Sequence, residues 1–267
     1  MIAILSDIHS NIHALEAVLS DMPKVDAIYI LGDMIGGACP FPCEVLDIIN
    51  GLDVPVSAVL GNWEDWMIRN KYDIAGARTR NIAGAWTMEA LQERHWSFLE
   101  GLDASVQIGD ILIFHGSPEN VEDSVITQED ADKLAKKHSA RWLIGGHTHR
   151  AKVFLSGNEQ RVVNASSVGA SFDEIGAMAC YALLDCESIS FRHVNYDIES
   201  AVKAIETCEL YKLNRRYADL IIQRMRTGVL KNQQQQSRRG REDDSHTFRH
   251  TRQSPRTRGR PFRHAES

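Results

Sequence analysis

The chain opens by alternating short apolar runs with amphipathic ones. Ile2–Leu5 is continuously apolar, as a strand covered on both faces requires. Ile12, Leu15, Val18 and Leu19 recur at helical spacing and predict a helix over Asn11–Asp21. Ala27–Leu31 is a second predicted strand, Cys43–Ile49 a helix and Val56–Leu60 a third strand. Strands that alternate with helices imply βαβ units and a parallel sheet. From Glu64 to Gly101 the pattern is helical, with Trp66, Trp86, Leu91, Trp96 and Leu99 as packing residues, and a cap beside the strand ends is expected. Ile111–Phe114 and Trp142–Ile144 are further strands, with a helix over Gln128–Lys137 between them. Lys152–Leu155, Arg161–Val163, Ala177–Leu184 and Ser188–His193 follow with short links, as in antiparallel hairpins. Asp197–Cys208 and Tyr211–Val229 read as closing helices.

Composition divides the chain into two regimes. The net charge of -6 over 267 residues conceals a basic tail: residues 231–267 hold ten Lys or Arg against four Asp or Glu, about +6, which leaves about -12 for residues 1–230. The tail has two Phe and one Ala as its only hydrophobic residues, too few to offset the entropy of ordering, so disorder is expected there and a single domain before it. Five scattered cysteines, and an N-terminus with an Asp already at position 7, predict reduced thiols in a cytoplasmic protein without an export signal. No apolar stretch approaches the ~18 residues that cross a bilayer, so no membrane partner is expected. The acidic body argues against a broad nucleic-acid groove, although the basic tail would permit weak contact. A homodimer is left open.

Five short blocks stand out: SDIH (Ser6–His9), LGD (Leu31–Asp33), LGN (Leu60–Asn62), FHG (Phe114–Gly116) and GGHTH (Gly145–His149). Each directly follows an apolar strand candidate. Groups just beyond the carboxyl ends of strands converge on one crevice in an open α/β sheet. Asp7, Asp33 and Asn62 lie about one βα repeat apart, so the fold would gather what the sequence separates. The donors are Asp7, His9, Asp33, Asn62, His115, His147 and His149. Imidazole together with carboxylate oxygen suits Mn, Fe, Ni or Zn, with Mg a harder alternative. Seven donors are too many for one tetrahedral site and suit two adjacent ions sharing a carboxylate. DIH and HTH both place two donors at i and i+2, on one side of an extended segment.

In these blocks the chain resembles the calcineurin-like metallophosphoesterase superfamily, whose pattern runs D-x-H, G-D, G-N, H and G-H-x-H in that order. Size and spacing look most like its small bacterial and archaeal phosphodiesterase branch. The resemblance implies a four-layer α/β/β/α sandwich of two mixed sheets with a helical cap insertion. It implies two divalent metal ions, with Asp7, His9 and His149 on the first, Asn62, His115 and His147 on the second, and Asp33 bridging. The implied reaction is hydrolysis of a phosphate ester, most simply a phosphodiester or nucleotide, by hydroxide held between the ions. Asp33, Asn62 and His115 would be the residues most directly tied to catalysis. A protein Ser/Thr phosphatase or a dinucleoside polyphosphate hydrolase would carry the same motifs. A noncatalytic scaffold of this fold would be expected to have lost ligands, and all seven are present.

Two departures matter. Relatives often place His after the Asn, where it assists the leaving oxygen; here Trp63 stands, which has no titratable proton. His13 is the nearest spare histidine on the first loop and helix and is the candidate substitute. Relatives also often carry P-G-S-V-G after the last metal histidine, where Asn164–Gly169 reads NASSVG, keeping Ser167 and the glycine without the proline. His95, His138 and His193 are expected to be surface or capping groups, and Cys39 with Cys43, lacking a second pair, is not expected to hold zinc.

Overall fold

In the computed structural model, the described residues are 1–157, 159–173 and 177–228. The tail expected to be disordered lies outside them. Among the described residues, ten strands form two five-stranded sheets. The first is built from β1 (Ile2–Leu5), β2 (Ala27–Ile30), β3 (Val56–Ala58), β9 (Ala179–Leu184) and β10 (Ile189–Val194), in the order β10-β9-β1-β2-β3. The βαβ pattern holds: β1, β2 and β3 are parallel, linked by α1 (Ile12–Asp21) and α2 (Pro42–Asn50), while β9 runs antiparallel to both β1 and β10. The second sheet has the order β4-β5-β6-β8-β7, from β4 (Ser105–Ile108), β5 (Ile111–Phe114), β6 (Trp142–Gly145), β7 (Ala151–Leu155) and β8 (Arg161–Ala165).

Two features of the strands go beyond the sequence pattern. β4 was not anticipated. Its SVQI alternates polar with apolar residues and is only four residues long, a weak signal for an edge strand antiparallel to β5. The late strands form the expected antiparallel hairpins as two separate pairs, and what the pattern does not show is where those pairs enter the sheets. β7–β8 and β9–β10 are antiparallel pairs, but β8 lies parallel to β6, and β9 crosses to the other sheet. The reason is burial. β8 and β9 are buried along most or all of their length, so each must sit inside a sheet rather than at a hairpin edge.

Side-chain alternation then sorts the cores. Ile4, Tyr29, Leu31 and Val59 of the first sheet meet Ile113, Ile144, Val163 and Ala165 of the second in the layer between the sheets. Their alternates Ala3, Leu5, Ile28 and Ile30 face Leu15, Val18, Val45 and Leu46 on α1 and α2. Leu112, Phe114, Leu143 and Val162 on the outer face of the second sheet pack on Ala131 and Leu134 of α7 (Gln128–Lys137). The result is the α/β/β/α sandwich.

The 64–101 region forms α3 (Asn62–Asn70), α4 (Ile74–Arg80), α5 (Ile82–Ala90) and α6 (Glu93–Glu100). Met67, Ala85, Met88, Trp96 and Leu99 join the same core as Ile28 and Ile30. The closing helices are three: α8 (Ile198–Thr207), α9 (Glu209–Leu213) and α10 (Arg215–Thr227), the last two separated at Asn214. They pack on Ala38 and Cys39 through Val202, Ile205, Ala218 and Ile222. Among the described residues no helix is long and apolar enough to cross a membrane.

Candidate metal centre

The five blocks fall on the loops that follow β1, β2, β3, β5 and β6. Hydrogen bonds tie the first loops together: Asp7 N donates to Gly32 O, His9 N to Asp33 O and Ser10 N to Met34 O, at 3.0–3.1 Å. Five of the seven candidate ligands have left-handed backbone, with φ of 52° at Asp7, 51° at His9, 50° at Asp33, 64° at His147 and 56° at His149. Non-glycine residues seldom adopt this region, and its concentration at one set of loops marks backbone held by its surroundings.

Two devices hold it. Glu64, wholly buried in the first turn of α3, accepts from Asp33 N (2.8 Å), Gly61 N (3.0 Å) and Ile35 N (3.1 Å), joining the loops after β2 and β3. Burial first, and then the Asp33 carboxylate, push its carboxyl up to about 7. The turn after β8 grips the DIH loop. Ser167 Oγ donates to Asp7 O (2.7 Å), Gly169 N to Asp7 O (3.0 Å), and Asn11 Nδ2 to Gly169 O (3.0 Å). A Cβ on Gly169 would come within 1.9 Å of Ile8 O, so the close approach requires glycine.

The structure brings all seven candidates together. His149 Nε2 lies 3.0 Å from Asp7 Oδ1 and 3.2 Å from His9 Nε2. His115 Nε2 and His147 Nδ1 each lie 3.0 Å from Asn62 Oδ1, and 3.3 Å from one another. Asp33 Oδ2 stands between the two halves, 3.8 Å from His9 Nε2 and 3.4 Å from His115 Nε2. Asp7 also reaches across, with Oδ1 4.0 Å from His115 Nε2, while its Oδ2 accepts from Ser6 Oγ and His147 N.

The tautomers show what this cluster lacks. His149 Nδ1 is 2.8 Å from Ala170 O, and His115 Nδ1 is 2.6 Å from Leu31 O. A ring nitrogen facing a carbonyl must donate, so in the neutral ring the other nitrogen is a lone pair. The remaining Nε2 atoms therefore point lone pairs at Asp7 Oδ1 and Asn62 Oδ1, which are themselves acceptors. Asp7 Oδ1 is buried with no hydrogen-bond partner, and so is His9 Nδ1. Acceptors crowded without donors demand positive charge between them. The pKa directions agree. Burial opposes the ionisation of Asp7, yet His149, His115 and His9 outweigh it and hold the carboxyl well below its usual value. Burial likewise opposes a charged His115, but Asp33 and Asp7 override it and push the ring up to about 10, so without a cation a proton on Nε2 supplies the positive charge that this spot demands. Burial brings His9 down to about 4 and lowers His147. Divalent cations fit this donor set. Asp7, His9 and His149 offer one group within 4.8 Å, and Asp7, Asp33 and His115 a second.

Trp63 N donates to Asp33 Oδ1 at 2.9 Å, and its ring lies against Gly36 and edge-on to His9 with centroids 6.4 Å apart. His13 packs edge-on against Phe41 at 5.7 Å and belongs to neither ligand group. His138 meets Glu119 at 2.9 Å on the surface, as expected. His95 caps α6 by accepting from Gln92 N, but it is fully buried. His193 lies 3.1 Å from Asp173, whose carboxylate also accepts from Ser166, Ser171 and Ala151 N. Cys39 is buried and Cys43 bonds to Ala90 O. Glu64, Phe172 and Arg224 were not singled out in the sequence. Only Glu64 left a signal there, as an acid at the third position of a helix that opens with a ligand.

Comparisons with known proteins bear on the family and the fold. A model of the calcineurin-like phosphoesterase superfamily domain matches residues 1–188. An uncharacterized protein of Methanocaldococcus jannaschii is 30% identical over 235 residues, covering 77% of this chain and 91% of that one. The crystal structure of a metallophosphoesterase from Sphaerobacter thermophilus is 26% identical with a TM-score of 0.70, covering 85% of this chain and 99% of that one. A hypothetical protein from Pyrococcus horikoshii, 23% identical, shares the fold at the same TM-score over 86% of this chain and 99% of its own. The chain belongs to the calcineurin-like phosphoesterase superfamily.

Proposed function

We propose that this protein is a hydrolase of phosphate esters that uses two divalent metal ions, and that phosphodiesters and the related phosphoanhydrides are its substrates. The observation that carries the reading is the buried Asp7 Oδ1, which has no hydrogen-bond donor and faces imidazole lone pairs. Asp7, His9 and His149 would hold one ion, Asn62, His115 and His147 the other, and Asp33 would serve both. Such ions supply acidified water and neutralise phosphoryl charge. The chain's own part is positional. Ala170 O and Leu31 O fix the tautomers of His149 and His115, leaving Nε2 free as a donor atom on each. Glu64 and Trp63 N hold Asp33 from two sides. His149, His115 and Asp33 are thereby oriented before any ligand arrives, so less reorganisation remains for the reaction.

Trp63 bears on the substrate. A ring without a titratable proton at that position cannot protonate a departing alkoxide, and His13 lies against Phe41. Esters with good leaving groups, such as aryl esters, nucleotides and phosphoanhydrides, should react best. The test is an activity matrix on purified protein, with bis-aryl phosphodiester, aryl monoester, nucleotide and phosphopeptide under Mn, Ni, Mg, Zn and Fe, and Asp33→Ala as the blank. Metal-dependent diester hydrolysis absent from the blank supports the reading. Activity retained in the blank overturns it, and equal rates on alkyl and aryl esters overturn the leaving-group argument.

A further inference from the structure

Arg224 is on α10, beyond residue 188 where the family match ends. It is only 7% exposed, and among the described residues its Nε is buried without a partner. Among the described residues no carboxylate pairs with it within 4 Å. Its Nη2 donates to Ala170 O (2.8 Å), the carbonyl that also receives His149 Nδ1, and lies 3.5 Å from that nitrogen. The guanidinium covers one face of Phe172, whose ring stacks on His149 at 4.9 Å. A second arginine, Arg150, approaches the same ring at 6.0 Å.

A buried cation with no carboxylate partner among the described residues is costly, and its surroundings make this one more so. Two divalent ions would bring more positive charge than Asp7 and Asp33 neutralise, and Arg150 adds to it. An anion is the group that would relieve all of these at once. The position fixes which anion. Arg224 meets the Nδ1 edge of His149, while Nε2, on the opposite edge, faces Asp7. An anion on Arg224 therefore sits beside the ligand cluster and not on it.

We propose that Arg224, with Arg150 at the rim, binds a second phosphate of the substrate, adjoining the one that is hydrolysed, as in a nucleotide polyphosphate or another phosphoanhydride. The proposal rests on the metal-centre reading above. It is tested by calorimetric titration of Mn-loaded protein with inorganic phosphate and with methylenediphosphonate, whose P–C–P bridge cannot be hydrolysed. Bound metal is measured by mass spectrometry after each titration. Wild-type protein should bind the diphosphonate at least about tenfold tighter than phosphate. Arg224→Gln should lose about ten- to hundredfold in diphosphonate affinity, the loss expected of one hydrogen bond to a charged group. Its phosphate affinity and metal content should hold. Arg224→Lys should recover part of the loss, and the exposed Arg150→Gln should show a smaller loss of the same kind, which keeps the test open if Arg224→Gln does not fold. Equal losses for both probes, no loss, or a fall in bound metal would overturn the proposal, the last by showing that Arg224 only positions His149 through Ala170. A wild-type protein that holds no metal would instead sink the metal-centre reading, and this proposal with it.

Discussion

Glu64→Ala should disable the metal centre from a residue that is not itself a ligand. The carboxylate satisfies three buried backbone N–H groups, of Asp33, Gly61 and Ile35. Each N–H left without an acceptor costs about 1–3 kcal/mol, or about 6 kcal/mol for three at mid-range. Against this stands the burial of the charge itself. A carboxyl pushed from 4.5 up to about 7 is disfavoured as the anion by about 3 kcal/mol, at ~1.4 kcal/mol per pH unit. The net loss above pH 7 is therefore about 3 kcal/mol. Because the folded value is raised, the stability Glu64 contributes is fully present below the unfolded value and is lost as pH rises through about 7. The gap between wild type and variant should thus be wider at pH 6 than at pH 8. Urea unfolding of chelator-treated protein at both values measures it, and mass spectrometry of the metal-loaded variant should show reduced occupancy, since Asp33 N has lost its anchor. A variant within about 0.5 kcal/mol of wild type at both pH values, with full metal content, would refute the argument that this side chain holds the two loops in place.

Other outcomes follow from single contacts. Gly169→Ala puts a methyl 1.9 Å from Ile8 O, so the turn or the DIH loop must shift; a loss of about 1–3 kcal/mol in thermal unfolding is expected, together with weaker metal binding. Asp47, hydrogen-bonded to Arg94 and then to His95, has its carboxyl drawn down to about 2. The stability it adds is present above the unfolded value near ~3.9 and lost as pH falls toward 2. Because the side chain is 46% exposed, Asp47→Asn should cost no more than about 1 kcal/mol at pH 7, a difference that vanishes in acid unfolding near pH 2. Chelation should lower Tm by roughly 5–15 °C, the loss of about 3–4 kcal/mol of saturated ligand binding, and Mn should restore it in calorimetry.

The ligands were legible because their chemistry is written in residue types and their convergence in a topological rule. Donors just past parallel, adjacent strands meet at one sheet edge, Asp7, His9, Asp33 and Asn62 on the first sheet and His115, His147 and His149 on the second, and the face-to-face packing of the two sheets brings those edges together. β1, β2 and β3 are parallel neighbours, and so are β5 and β6. The rule fails for late elements. Arg161–Ala165 reads the same whether it continues a hairpin or enters a sheet between β6 and β7, because a short buried strand carries no record of its partner. Arg224 was hidden for a related reason. An arginine on an amphipathic helix is ordinarily solvated, and only the packing of α10 through Ala218, Ile222 and Met225 turns this one inward.

That packing bears on how the site is held. Left-handed backbone at five ligands stores of the order of 1–3 kcal/mol at each, strain that persists only where surrounding structure over-determines it. Asp33 has Glu64 and Trp63 N, and Asp7 has Ser167 and Gly169, all within the region shared with the family. His149 is different. Its Nδ1 partner, Ala170 O, is held in turn by Arg224 from a helix beyond that region, and its ring is sandwiched between His9 and Phe172. The Nδ1 bond to Ala170 O and the stacking on Phe172 remain when Arg224 alone is shortened, so the last ligand's orientation depends on the C-terminal helix as a whole and not on that one side chain. If α10 were displaced, the arrangement of Asp7, Asp33 and Asn62 should survive, and His149 should be the first ligand to lose its aim.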